Sequence, residues 1–165
     1  MANTSTTTLT MTRRFDVSAD KVFDAWLNPD KMRKWLFTME PTNKVATNKP
    51  HVGGRWEIVD HREGKDYRAI GEYVEIDPPS KLIFTFKMPQ FNDLEDRIVV
   101  EIKPLDKGSE MTFTQVIVVP HEAGWTEGDV EKALVDYNSQ TEQGWGYMFE
   151  GLKQLVETGK INYPV

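Results

Sequence analysis

The chain has 165 residues, with 20 Lys and Arg against 26 Asp and Glu, a net charge of −6 and no cysteine. That length buries a substantial core without covalent staples, the acidic balance lacks the basic field of a nucleic-acid binder, and the missing thiols remove disulfides, cysteine nucleophiles and thiolate metal sites. No apolar run approaches the roughly 18 residues that cross a bilayer, and the polar, Thr-rich opening Met1–Thr8 lacks the apolar stretch of a secretory signal.

These features set an expectation of one domain over residues 1–165, cytoplasmic, with residues 1–8 disordered. Leu9 to Val17 alternates enough for a first strand, with Leu9, Met11 and Phe15 as its large apolar groups. Ser18 suits the N-cap of a helix carrying Val22, Phe23, Trp26 and Leu27. Asn28-Pro29-Asp30 ends it and opens a second, short helix, with Pro29 in the first turn. That helix finishes at Trp35-Leu36-Phe37, and its Lys31, Arg33 and Lys34 form a solvated face. Thr38 to Val52 is rich in Thr, Asn, Lys and Pro and reads as an irregular loop with a short strand around Val45.

Strand patterns then follow at hairpin spacing. Arg55 to Val59 and Tyr67 to Ile76 flank the polar tip Asp60–Lys65, and Asp77-Pro78-Pro79-Ser80 is a turn because proline cannot serve in a central ladder. Lys81 to Met88 places Leu82, Phe84, Phe86 and Met88 on one face. Arg97 to Lys103 places Ile98, Val100 and Ile102 together, and Glu110 to Val119 follows the Lys107-Gly108 turn. Such a series implies an antiparallel meander.

From Thr126 to about Lys160 the pattern changes to one long amphipathic helix. Its stripe runs through Val130, Leu134 and Tyr137, then Trp145, Met148, Phe149, Leu152, Leu155 and Val156. Thr126 and Asp129 have the spacing of a capping box. Gly144 and Gly146 flank Trp145, and each costs roughly 1 kcal/mol against alanine in a helix interior, which points to close packing or a ligand there. A curved antiparallel sheet needs one face covered, and this helix is the long apolar element left to cover it. The predicted fold is α+β: a curved antiparallel sheet wrapped around the C-terminal helix, with two short helices between the first two strands.

The ordered motifs resemble a known family. Phe15, Val22-Phe23-Asp24-Ala25-Trp26, Asn28-Pro29-Asp30 and Trp35 form its opening. Gly53-Gly54-Arg55-Trp56, Gly71-Glu72-Tyr73, Ile76-Asp77-Pro78-Pro79-Ser80-Lys81-Leu82 and Glu142-Gln143-Gly144-Trp145 follow in order. From about Leu9 to Val156 the chain resembles the SRPBCC (START-like, helix-grip) superfamily. Within it, the chain is similar to proteins related to the C-terminal domain of the activator of the heat-shock protein 90 ATPase. The resemblance implies the helix-grip fold. It also implies one of several roles, since related domains bind lipids, hormones or polyketides and some are cyclases.

Under that reading, Trp56, Tyr73, Phe84, Phe86, Phe113, Trp145, Met148 and Phe149 are expected to line a cavity between sheet and helix. Ordinary core packing competes for any one of them. Arg68 and Glu72 share strand parity with Ile70 and Val74 and are the polar cavity candidates, since a charge facing inward is costly unless it meets a partner. Phe91 and Leu94 form a lid, or pack against a second subunit. His51, His61 and His121 sit in loops or a hairpin tip without a nucleophile or carboxylate at telling spacing, so no catalytic residue, metal ligand or cofactor is assigned.

Three functions stand open at this level. The first is binding of a small hydrophobic molecule. The second is a chaperone-linked stress-response interaction. The third is cyclase- or hydrolase-like chemistry, which requires an inward acid or base such as Glu72. A monomer and a homodimer are both compatible with the chain.

Overall fold

The computed structural model describes residues 3–163. Strand β1 (Thr4–Phe15) leads into helices α1 (Ala19–Leu27) and α2 (Pro29–Trp35). After a short 3-10 turn at Glu40–Thr42 come β2 (Asn43–Asn48), β3 (Arg55–Arg62), β4 (Lys65–Asp77), β5 (Lys81–Phe86), β6 (Asp96–Pro104) and β7 (Ser109–Pro120). Helix α3 (Glu127–Thr158) closes the described chain. The seven strands form one sheet in the order β1-β7-β6-β5-β4-β3-β2, with every pairing antiparallel. Two short helices after β1 and a long helix against the sheet complete the helix-grip α+β fold.

Strict alternation builds the inner face. Along β7 every second residue from Ser109 to Val119 is buried, and Ile98, Val100 and Ile102 do the same on β6. Register then brings Phe113 opposite Val100 and Met111 opposite Ile102. The α1 side chains Val22, Phe23, Ala25 and Trp26 all enter the core. Asn28 ends α1 and caps α2, its side-chain oxygen accepting from the Asp30 amide at 3.0 Å.

One expectation needs correction. Residues 4–8 are not disordered: β1 begins at Thr4, and its register with β7 is continuous from Thr4↔Pro120 to Phe15↔Ser109. The polar run looks frayed, but β-branched threonines fit a pleated strand, and β7 supplies a partner for each of them. Met1 and Ala2 lie outside the described residues. Within segment 38–52 the short strand expected around Val45 is β2, and the buried Asp60 holds the residues that lead into it. Its carboxylate accepts from Thr38 Oγ1 at 2.8 Å and Thr42 Oγ1 at 2.5 Å and pairs with Arg62 Nε at 2.5 Å.

Helix α3 starts and stops where its end signals stand. The Thr126 hydroxyl accepts from the Asp129 amide at 3.1 Å, and the Asp129 carboxylate accepts from the Thr126 amide at 3.0 Å. At the other end Gly159 takes φ 82°, and its amide donates to the Leu155 carbonyl at 2.8 Å. The four fully buried side chains are Trp145, Phe149, Leu152 and Leu155, all in the second half. Each contributes roughly 1.5–3 kcal/mol by apolar burial.

Candidate functional site

The centre of the grip is filled. The Trp145 ring lies 4.5 Å from Phe113, 5.3 Å from Phe149 and 5.9 Å from Trp26. Trp56 packs edge-on to Phe84 at 5.6 Å, and Tyr73 meets Phe84 at 6.4 Å. Thus Tyr73, Phe84, Phe113 and Phe149, expected as cavity walls, are packed against other rings. Burial pushes the Tyr73 hydroxyl up to about 12, against the pull of its hydrogen bond from Asn48. At neutral pH it remains protonated.

An opening of about 400 Å³ lies beside this core, between α3, the segment joining β5 to β6, and the end of β7. Phe86, Trp145 and Met148 line it, so three of the eight expected wall residues meet there. Phe91 and Leu94 border it from the connecting segment. Tyr137 and Gly144 border it from α3, and Phe37 from the end of α2. The volume falls at the lower end of the range for small-molecule sites, roughly 300–1,000 Å³.

Close packing does not explain the two helix glycines. A Cβ built on Gly144 or Gly146 meets nothing within 4 Å. Gly144 instead faces the opening, while Gly146 is not part of its lining.

The opening has a polar floor that inspection of the sequence passed over. Trp145 Nε1 donates to Gln115 Oε1 at 2.8 Å, and Gln115 Nε2 donates to Asp96 Oδ2 at 2.7 Å. The Val118 amide donates to Asp96 Oδ1 at 2.9 Å. An indole N–H can only donate, so it fixes which end of the Gln115 amide faces it. The amide nitrogen then needs an acceptor, and Asp96 provides one. Partial burial pushes the Asp96 carboxyl above the usual carboxylate range, while its bonds from Val118 and Gln115 pull the other way. A signal was present: Gln115 shares strand parity with Met111, Phe113, Ile117 and Val119 and is the polar member of that inward row.

Phe37 joins this site to the core under backbone strain. It is a non-glycine residue at φ 58°, a left-handed conformation that costs roughly 1–2 kcal/mol. Its ring stacks on Phe86 at 4.6 Å and 7°, and its amide points at Met148 Sδ at 3.2 Å. The stacking and that contact hold it there.

Arg68 and Glu72 lie elsewhere. Register pairs Arg55 with Glu72 and Val59 with Arg68, on the face opposite Trp56 and Ile58. They border an open, solvated trough of about 750 Å³ on the outer side of the sheet, with Lys49, His51, Arg55 and Glu57. Arg68 pairs there with Glu57. Trp56 reaches the same trough only by its edge: Nε1 donates to the Thr85 carbonyl at 3.2 Å across Gly71, where a Cβ would sit 1.7 Å from that oxygen.

The histidines are dispersed. His61 contacts Asp66 at 2.6 Å in the hairpin tip, and His121 contacts Ser5 at 2.8 Å by the end of β7. Among the described residues no group of three His, Cys, Asp or Glu is placed to hold a metal ion. No helix among them is long and apolar enough to cross a membrane.

Residues 16–157 match the model of the family described as Activator of Hsp90 ATPase homolog 1-like protein. The chain belongs to this family. A solved structure of a Staphylococcus aureus protein of unknown function, SA2116, is similar at 25% identity and a TM-score of 0.88, over 94% of this chain and 96% of that one. Protein NE0264 from Nitrosomonas europaea shares the fold at 19% identity and a TM-score of 0.71, over 92% and 95% of the two chains. Protein CV1439 from Chromobacterium violaceum does so at 20% identity and 0.68, over 91% and 96%. No curated protein sequence matches the chain. The family membership accounts for the motif order read along the sequence, and the fold is that of the helix-grip superfamily.

Proposed function

We propose that this member of the activator-homologue family binds a small amphipathic molecule in the opening beside α3. The observation that supports this best is the combination of an apolar recess of about 400 Å³ with the Asp96–Gln115 pair at its floor. Apolar walls contribute affinity at about 25 cal/mol per Å² of surface removed from water, and the polar pair orients the ligand. Phe86, Trp145 and Met148 are the wall residues. Phe91 and Leu94 act as the lid.

The larger outer trough suits this role less well. Arg68 pairs with Glu57 there, and Lys49, Arg55, Glu72 and Glu95 are exposed to solvent, where screening leaves little for a ligand to gain.

Gly144→Leu tests the reading, because the new side chain enters open space at the recess and improves helix propensity. Titration of the wild-type protein with a panel of aromatic and aliphatic amphiphiles is expected to give a saturable change in tryptophan fluorescence. The variant, folded by circular dichroism, is expected to lose it. Saturable binding that survives in Gly144→Leu defeats the assignment and turns attention to a protein partner on the outer face.

A further inference from the structure

The recess joins two features that each point to a positively charged ligand group. Phe37, Phe86, Phe91, Tyr137 and Trp145 all border it, and aromatic faces attract cations through their ring quadrupoles, more strongly where water is excluded. At the floor stands Asp96, whose carboxylate accepts one bond to each oxygen, from Gln115 and from Val118. A carboxylate offers about four acceptor sites, so two remain. Among the described residues no Lys, Arg or His forms a salt bridge with Asp96.

We propose, building on the ligand-binding reading above, that the recess is selective for amphipathic amines: an apolar or aromatic body against the rings, and an ammonium or amidinium group at Asp96. The basic residue in the lining, Lys87, does not fill that place. It follows Phe86 in the chain, bridges to Ile70 through its backbone, and also borders the outer trough. The neighbours of Asp96 in sequence, Glu95 and Arg97, are both exposed. A partly buried carboxylate with no counter-charge is costly, and a cationic ligand relieves that cost whereas a neutral or anionic one of equal shape does not. The Gln115 relay keeps the acid in place, because the indole holds the amide nitrogen toward it.

The experiment compares phenylbutylamine, phenylbutanol and phenylbutyrate, matched in body and differing in head group, by isothermal titration calorimetry. The wild-type protein is expected to bind the amine about tenfold or more tightly than the alcohol, with the acid weakest. Asp96→Asn removes the charge and leaves one oxygen to accept from Gln115 Nε2 or from the Val118 amide; it is expected to bring amine and alcohol within about twofold. If that variant does not fold, the wild-type series alone decides. Equal binding of the three compounds, or tightest binding of the acid, overturns the cation preference; if Gly144→Leu still abolishes that binding, the recess remains the ligand site. Binding of all three that persists in Gly144→Leu overturns both readings, and no binding of the amine overturns this one.

Discussion

The two halves of α3 belong to one continuous helix and lead opposite lives. From Gly144 to Thr158 it supplies four fully buried side chains and ties its polar edge to β1, with Lys153 Nζ donating to the Arg14 carbonyl and Glu157 accepting from the Asp16 amide. From Glu127 to Gln143 nothing is fully buried. Val130, Ala133 and Leu134 are half-buried, Val135 is 65% exposed, and Asn138 reaches Thr7 and Thr8. The apolar stripe is regular across both halves, yet only the second has a filled space to enter. The recess begins where the two meet, at Tyr137, Gly144 and Trp145. A recess arises here because the helix outruns the core that covers it.

Trp145→Ala should show the largest effect. It empties a 2% exposed site and strands the Gln115 carbonyl, and truncations of buried aromatics cost about 3–5 kcal/mol. Thermal unfolding should fall by roughly 10 °C, at about 2–4 °C per kcal/mol for a chain of this length. Trp145 is therefore wall and core together, and its loss tests stability before it tests binding. Leu152→Ala against Val135→Ala sharpens the contrast between the halves. The first should cost about 2–5 kcal/mol and the second fall within about 0.5 kcal/mol of zero. Comparable losses in the two would break the comparison. Amide hydrogen exchange should agree, with residues 127–143 exchanging faster than 145–156.

Much of this was legible along the chain, and the failures have physical causes. Alternation located β5, β6 and β7, and the start signal of α3 at Thr126 is that of the structure. Parity alone misled on β4. Its inward row is Ala69, Gly71 and Tyr73, where small residues hide the apolar signal, while Ile70 and Val74 share the outer row with Arg68 and Glu72. Parity also cannot separate a wall from a filler. Phe84 and Phe86 face the same way two residues apart, yet Phe84 is packed among Trp26, Trp56 and Tyr73, and Phe86 reaches the recess. That difference depends on where α3 crosses the sheet, which local pattern does not encode. The strained turn at Phe37 follows from tertiary stacking and left no mark in composition.

The two helix glycines give the smallest effect and the cleanest separation of stability from binding. Both stand in open space, so adding a methyl removes no contact and restricts the unfolded chain. Gly146→Ala should raise stability by about 0.5–1 kcal/mol, or roughly 1–4 °C in unfolding temperature, and leave ligand affinity unchanged because Gly146 does not touch the recess. Gly144→Ala should gain a similar amount while weakening binding, since its methyl enters the recess. Equal affinity in both variants would mean that ligands do not approach α3 at Gly144. A stability gain at 146 with a binding loss confined to 144 would mean that the helix gives up propensity at this point to keep the recess open.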